Sequence, residues 1–157
     1  MRKISILIQV ISIACLGAFA GAMIMLNTAI LSFWKKAAPE DFLDWYADYA
    51  SGIMDATGPL VMSSLILPLV CFFLVIKNKQ SRIYWIISFS LSVIIMIITM
   101  GYFVGVNTSF AEQSIELVQI KETLDTWGRN HLIRISLAFA SALFAGIGLV
   151  KYLPKNK

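Results

Sequence analysis

The chain has 157 residues, of which 59% are apolar and 14% charged, and a formal net charge of +4. A water-soluble domain carries roughly 25% charged residues and could not hide so much apolar surface, so a bilayer is the expected solvent. The basic residues form no stripe interleaved with exposed aromatics, which excludes a nucleic-acid surface.

Four apolar runs follow one another along the chain, and a helix needs about 20 such residues to cross a hydrocarbon core of about 30 Å. They predict spans over about 4–27, 58–76, 83–107 and 131–153, joined by outer loops over about 35–57 and 108–130. The expected fold is therefore a single integral membrane domain, 1–157. It is an all-α, polytopic four-helix bundle, up-down-up-down, with short outer amphipathic helices. The first run follows Arg2 and Lys3 but outlasts the usual 7–15 residue core of a signal peptide, so it reads as an uncleaved span. Gly17 and Gly21 on the first span, Gly101 and Gly105 on the third, and Ala142 and Gly146 on the fourth have the small-xxx-small spacing that lets helices approach closely in lipid. That spacing is compatible with a homo-oligomer. Pro68 is expected to bend the second span.

Charge sets the direction. Arg2, Lys3, Lys77, Lys79, Arg82, Lys151, Lys155 and Lys157 occupy acid-free segments, whereas every Asp and Glu lies in the 35–57 or 108–130 loop. The positive-inside rule then places both termini in the cytoplasm, the expected membrane being a bacterial inner (plasma) membrane. In the first outer loop, Pro39, Glu40 and Asp41 suit a helix start. Phe42, Trp45 or Tyr46, Tyr49 and Ile53 then recur at helical spacing through an amphipathic helix ending near Ile53. In the second, Ser109 and Glu112 form a capping-box pattern that predicts a short helix through Ile120. Thr123 or Asp125 would then cap the last helix.

At 1.5 Å per residue, Asn27 lies ~35 Å above the inner end of the first span, Asn107 ~36 Å up the third, and Arg134 ~28 Å up the fourth. His131 is one turn above Arg134. These polar groups can therefore share the outer mouth of the bundle. Trp127, His131 and Arg134 stand at i, i+4 and i+7 on one helix face. Ionisable groups at such depth usually pair, face the interior or serve function. Snorkelling of Arg134 and an ordinary interfacial Trp127 would explain the same residues without a site.

Cys15 and Cys71 differ in height by more than the ~7 Å a disulfide spans, which argues against a redox relay. One histidine with scattered acids has no metal-ligand spacing, so no metal is expected. No Walker loop, nucleophile elbow or dinucleotide fingerprint occurs.

With its Gly-rich first span, a loop carrying Pro39 and Trp45, Asn107 closing the third span, and the run Trp127-Gly-Arg-Asn-His131-Leu-Ile-Arg134, the chain resembles the anthrone oxygenase family. That resemblance implies a four-helix membrane protein and a cofactor-independent oxygenation of a flat lipophilic phenol, anthrone or quinol. On that reading His131 is the base, because its unperturbed pKa lies near neutrality. Arg134 holds phenolate or superoxide charge. Asn107 bonds a substrate carbonyl, and Trp127, Asn27, Trp45 and Tyr49 contact the aromatic ligand. The implied partners are the lipid bilayer and an aromatic or quinone-like small molecule. The alternative is a non-enzymatic membrane protein that binds a lipid or quinone or serves as an assembly subunit.

Overall fold

A computed structural model of the chain describes residues 2–154. Lys155 and Lys157, used above for orientation, lie outside the described residues. Four helices, each long and apolar enough to cross a membrane, make up an all-α four-helix bundle, as the apolar runs predict. They are α1 (Arg2–Trp34), α2 (Pro39–Leu74), α3 (Lys79–Ala111) and α4 (Leu117–Tyr152). Each packs on its neighbours in sequence, and α1 closes the ring against α4. One end of the bundle carries the two acidic loops, and the other carries Arg2, Lys3, Lys77, Lys79, Arg82 and Lys151 with no acidic residue among the described ones.

The helix ends differ from the sequence expectation in three places. The amphipathic segment after Pro39 and the second span are one unbroken helix. Pro59 withdraws only the hydrogen bond to the exposed Asp55 carbonyl, which the helix tolerates there. The structure also selects the buried face of this segment: Phe42, Tyr46 and Ala50 turn inward, while Tyr49 is 59% exposed. Second, no helix starts at Ser109. α3 runs on through Ala111, and the Ser109 hydroxyl donates back to the Val106 carbonyl at 2.8 Å. Phe110 holds this extension in register by packing edge-on against Phe42 at 5.0 Å. Gln113 then takes a left-handed conformation (φ 52°) and donates to Asp44 at 3.0 Å, tying the turn to α2. Third, Thr123 and Asp125 lie inside α4 and do not cap it. Burial of Ile120 and Leu124, one turn apart, carries the helix further back, and Asp125 pairs with Lys35 at 2.6 Å.

Close helix contact uses other glycines than the small-xxx-small pairs. Gly17, Gly21, Gly101 and Gly105 are exposed, and a Cβ at any of them would meet nothing within 4 Å. Gly148 on α4 faces the Trp85 indole of α3, where a Cβ would lie 2.8 Å from Nε1. The Ser81 hydroxyl donates to the Gly148 carbonyl at 2.7 Å, and Trp85 donates to Gln9 at 3.2 Å, so neither helix can retreat cheaply. Gly148→Ala is therefore expected to destabilise the fold by about 1–3 kcal/mol, the usual range for overpacking. Gly17→Ala should leave stability unchanged or slightly raised, since alanine is the better helix former. Thermal unfolding in detergent measures both; equal melting temperatures for the two variants would refute the close α3–α4 contact.

Candidate functional site: a buried arginine beside an apolar cavity

Near the acidic end of the bundle, α1 and α3 each widen into a π-turn, at Leu26–Ile30 and Thr99–Phe103. Such turns recur at functional sites because they redirect side chains out of the regular helical pattern. The second one delivers two groups to Arg134. The Thr99 hydroxyl accepts from Nη1 at 3.1 Å, and the Phe103 ring lies 3.4 Å beneath the guanidinium carbon. His131 takes the remaining contact, Nη2 donating to Nδ1 at 2.7 Å.

The histidine's tautomer follows from its partners. Its Nε2 lies 2.9 Å from the Met23 carbonyl of α1, which can only accept, so Nε2 carries the proton and Nδ1 the lone pair. That lone pair is the atom Arg134 holds. Trp127 stacks on the imidazole at 4.6 Å between centroids and 19° between planes, and donates its own N–H to Asn107 at 3.0 Å. Asn107, Trp127, His131 and Arg134 are thus one connected chain of contacts between α3 and α4, with His131 fully buried and Arg134 9% exposed.

Arg134 has no carboxylate partner. Among the described residues the only ion pair is Lys35–Asp125, which is elsewhere. Arg134 Nε also lacks a hydrogen-bond partner. The residue lines a cavity of about 510 Å³ among all four helices whose walls include Trp34 of α1, Tyr46, Phe103 and Trp127. Trp34 contributes a second buried N–H without an acceptor. A chamber of about 70 Å³ is lined by Arg134 and His131 together.

Asn107 and Trp127 line the large cavity with Arg134. Trp45 and Tyr49 do not; they line a separate cavity of about 460 Å³ between α1 and α2. Asn27 is elsewhere again, beside Lys35 and Asp125, because its position on α1 turns it toward Gly128 and Leu132 of α4. Sequence reasoning missed Trp34, Thr99 and Phe103. The four-residue step from Thr99 to Phe103, continuing the buried Trp85–Ser88–Ser92–Ile95 stripe of α3, is the pattern that could have found the last two. Among the described residues no group of His, Cys, Asp and Glu is placed to hold a metal ion. Both cysteines are free thiols.

Fold and site together define an integral membrane protein whose helices enclose an apolar cavity with a cation in its wall. Residues 45–144, most of the chain, match the family model described as anthrone oxygenase, and the protein belongs to that family of membrane oxygenase-like proteins. No curated protein and no solved structure matches the chain.

Proposed function

We propose that this protein oxygenates a flat, lipophilic phenol, anthrone or quinol, held as its anion in the Arg134 cavity among the four helices. The observation that carries this reading is Arg134, a buried guanidinium without a counter-charge on the wall of an aromatic-lined cavity. Desolvating such a charge costs several kcal/mol. An anionic ligand oxygen would offset that cost, and the idle N–H groups of Arg134 and Trp34 favour a ligand carrying two oxygens. The aromatic walls favour a planar ring system over an acyl chain.

An anthrone carries a carbonyl and an acidic methylene facing each other across its central ring. Its carbonyl oxygen draws Arg134 Nη2 away from His131, which frees the Nδ1 lone pair. His131 borders only the adjoining small chamber, so the ligand's methylene edge lies at the opening between the two voids beside Arg134, where Nδ1 takes a methylene proton and leaves an enolate whose oxygen sits on the guanidinium. The Met23 carbonyl, already bonded to Nε2–H, steadies the imidazolium that forms. Asn107, whose Oδ1 is taken by Trp127, offers its amide N–H to a further ligand oxygen.

The enolate passes one electron to dioxygen, giving a ligand radical and superoxide, which combine into a carbon–oxygen bond. The peroxide takes a proton. Loss of the remaining C–H proton then breaks the O–O bond, expels hydroxide and leaves a carbonyl. Anthrone plus dioxygen thus becomes anthraquinone plus water, with dioxygen as the sole oxidant. The chemistry asks of the protein a base, a positive charge and a dry cavity. The positive-inside rule places this site in the outer half of the membrane, with both termini cytoplasmic.

The test is turnover of an anthrone under oxygen-18 gas by the protein in lipid nanodiscs. One label is expected in the quinone and one in water, faster than in empty nanodiscs. Incorporation at the rate of empty nanodiscs would sink the oxygenase reading. Bound aromatic in native mass spectra without turnover would instead identify a binding protein.

A further inference from the structure

We propose that the 70 Å³ chamber lined by His131 and Arg134 is a dioxygen-binding site, fed from the bilayer through the apolar cavity between α1 and α2. The inference rests on the oxygenase reading and assigns its second substrate a place.

Size comes first. The chamber is far too small for a ring system, yet it shares Leu26, Thr57, Val61, Thr99 and Arg134 with the 510 Å³ cavity. A flat ligand held at Arg134 in the large cavity would therefore have this small void beside its reacting edge.

Lining chemistry comes next. Phe19, Met23, Leu26 and Val61 supply apolar wall. Apart from the guanidinium, each polar group of the lining has a hydrogen-bond partner. Thr57 donates to the Ile53 carbonyl at 2.8 Å, and Thr99 donates to Ile95 and accepts from Arg134. Both His131 nitrogens are bonded. Arg134 Nε has no partner, and each terminal nitrogen keeps one N–H unused, so the free donors are concentrated on the guanidinium. A buried water needs about two to four polar partners, which only the guanidinium and the Thr57 oxygen offer, whereas an apolar diatomic needs none, so the part of the void walled by Phe19, Met23, Leu26 and Val61 favours a gas molecule. Once dioxygen accepts an electron, the adjacent guanidinium attracts the superoxide formed. Attraction thus grows with the charge that develops, which is what a catalytic electrostatic site requires.

Access comes last. The 460 Å³ cavity shares Ala22, Leu26 and Thr57 with the chamber and is walled by apolar and aromatic side chains. Exposed Met25 and Tyr49 lie at its edge, so it opens on an apolar surface of the bundle. Dioxygen, an apolar solute, partitions into hydrocarbon and can enter there without passing the aromatic ligand. Trp45 and Tyr49, which do not reach the Arg134 cavity, then line the gas route.

Xenon is the probe, because it reports gas binding without turnover. Crystals of the full chain pressurised with xenon should show anomalous density in the chamber among Ala22, Thr57 and His131. Ala22→Leu should abolish that density. The same variant should raise the KM for dioxygen by at least about tenfold, since leucine adds three carbons where a single extra methylene in a fitted apolar site already costs about that much. Its KM for the anthrone should stay unchanged, and Ala22→Val should give a smaller rise. An empty chamber in xenon-treated wild-type crystals overturns the proposal. So does an unchanged dioxygen KM in a folded Ala22→Leu protein that has lost the density. Xenon in the chamber of a protein that consumes no oxygen with any anthrone keeps the gas site and rejects the oxygenase reading.

Discussion

Arg134→Met is expected to lower kcat/KM for an anionic aromatic substrate by about 10²–10³, the loss seen when a donor aimed at developing negative charge is removed. Stability should change by less than about 2 kcal/mol, because opposing terms of similar size are removed together. Desolvation of the guanidinium costs several kcal/mol. Against it stand two charge-assisted hydrogen bonds of about 1.5–3 kcal/mol each, to Thr99 and His131. A cation–π contact of about 2 kcal/mol with Phe103 adds to them. Methionine keeps the volume and the packing on Phe103 and leaves one hydroxyl and one imidazole nitrogen without their donor. Arg134→Lys should also be impaired, because a single ammonium cannot address Thr99, His131 and a ligand oxygen from one planar fork. Ligand-induced thermal shifts and oxygen uptake, measured on the same nanodisc samples, separate the two effects. A variant that loses stability and activity in proportion would make Arg134 a structural residue and remove the anion-binding argument.

The parts legible in sequence are those that depend on local period and on solvent. Four apolar runs specify four helices because no bilayer-exposed backbone can leave its hydrogen bonds unmade. The i, i+4, i+7 spacing of Trp127, His131 and Arg134 puts them on one face whatever surrounds them, and simple rise per residue brings Asn107 to the same level. What was not legible is the rotation of each helix about its own axis. Residues 42–49 contain four aromatics, Phe42, Trp45, Tyr46 and Tyr49, and every face of that turn looks suitable for a ligand. Only the neighbouring Trp34 and Phe110 rings decide that Tyr46 faces inward, while Trp45 and Tyr49 border another cavity.

The π-turns were equally hidden. A turn of this kind depends on tertiary contacts that compensate the looser hydrogen bonding, here those of Arg134 with Thr99 and Phe103. Gly58-Pro59 shows the reverse error. It has the composition of a boundary, yet neighbouring turns with satisfied hydrogen bonds carry α2 straight through it. The glycines err for the same reason as the aromatics. Spacing marks Gly17 and Gly21 for close contact, but contact is made where Trp85 meets Gly148.

His131→Asn should abolish turnover by about 10²–10⁴, the usual contribution of a positioned general base, while leaving Arg134 supported. Asparagine places an acceptor oxygen close to the position of Nδ1, so it can still receive Arg134 Nη2, but an amide does not take up a proton near neutral pH. It therefore distinguishes the two roles that the 2.7 Å contact between Nη2 and Nδ1 allows. A residue that merely holds Arg134 in place would be rescued by asparagine. A base would not, even though the aromatic ligand still binds. The pH dependence adds a second criterion. A neutral imidazole is the active form, so wild-type kcat should fall as pH drops through the base's ionisation, and that acid limb should be missing from the residual activity of the variant. Binding should persist, because the guanidinium that attracts the anion is unchanged. The measurement is a pH series of oxygen uptake for both proteins, with ligand affinity read in parallel by quenching of tryptophan fluorescence. Near wild-type turnover in His131→Asn, with the acid limb intact, would reassign His131 to positioning and send the search for the base to the ligand's own phenol groups.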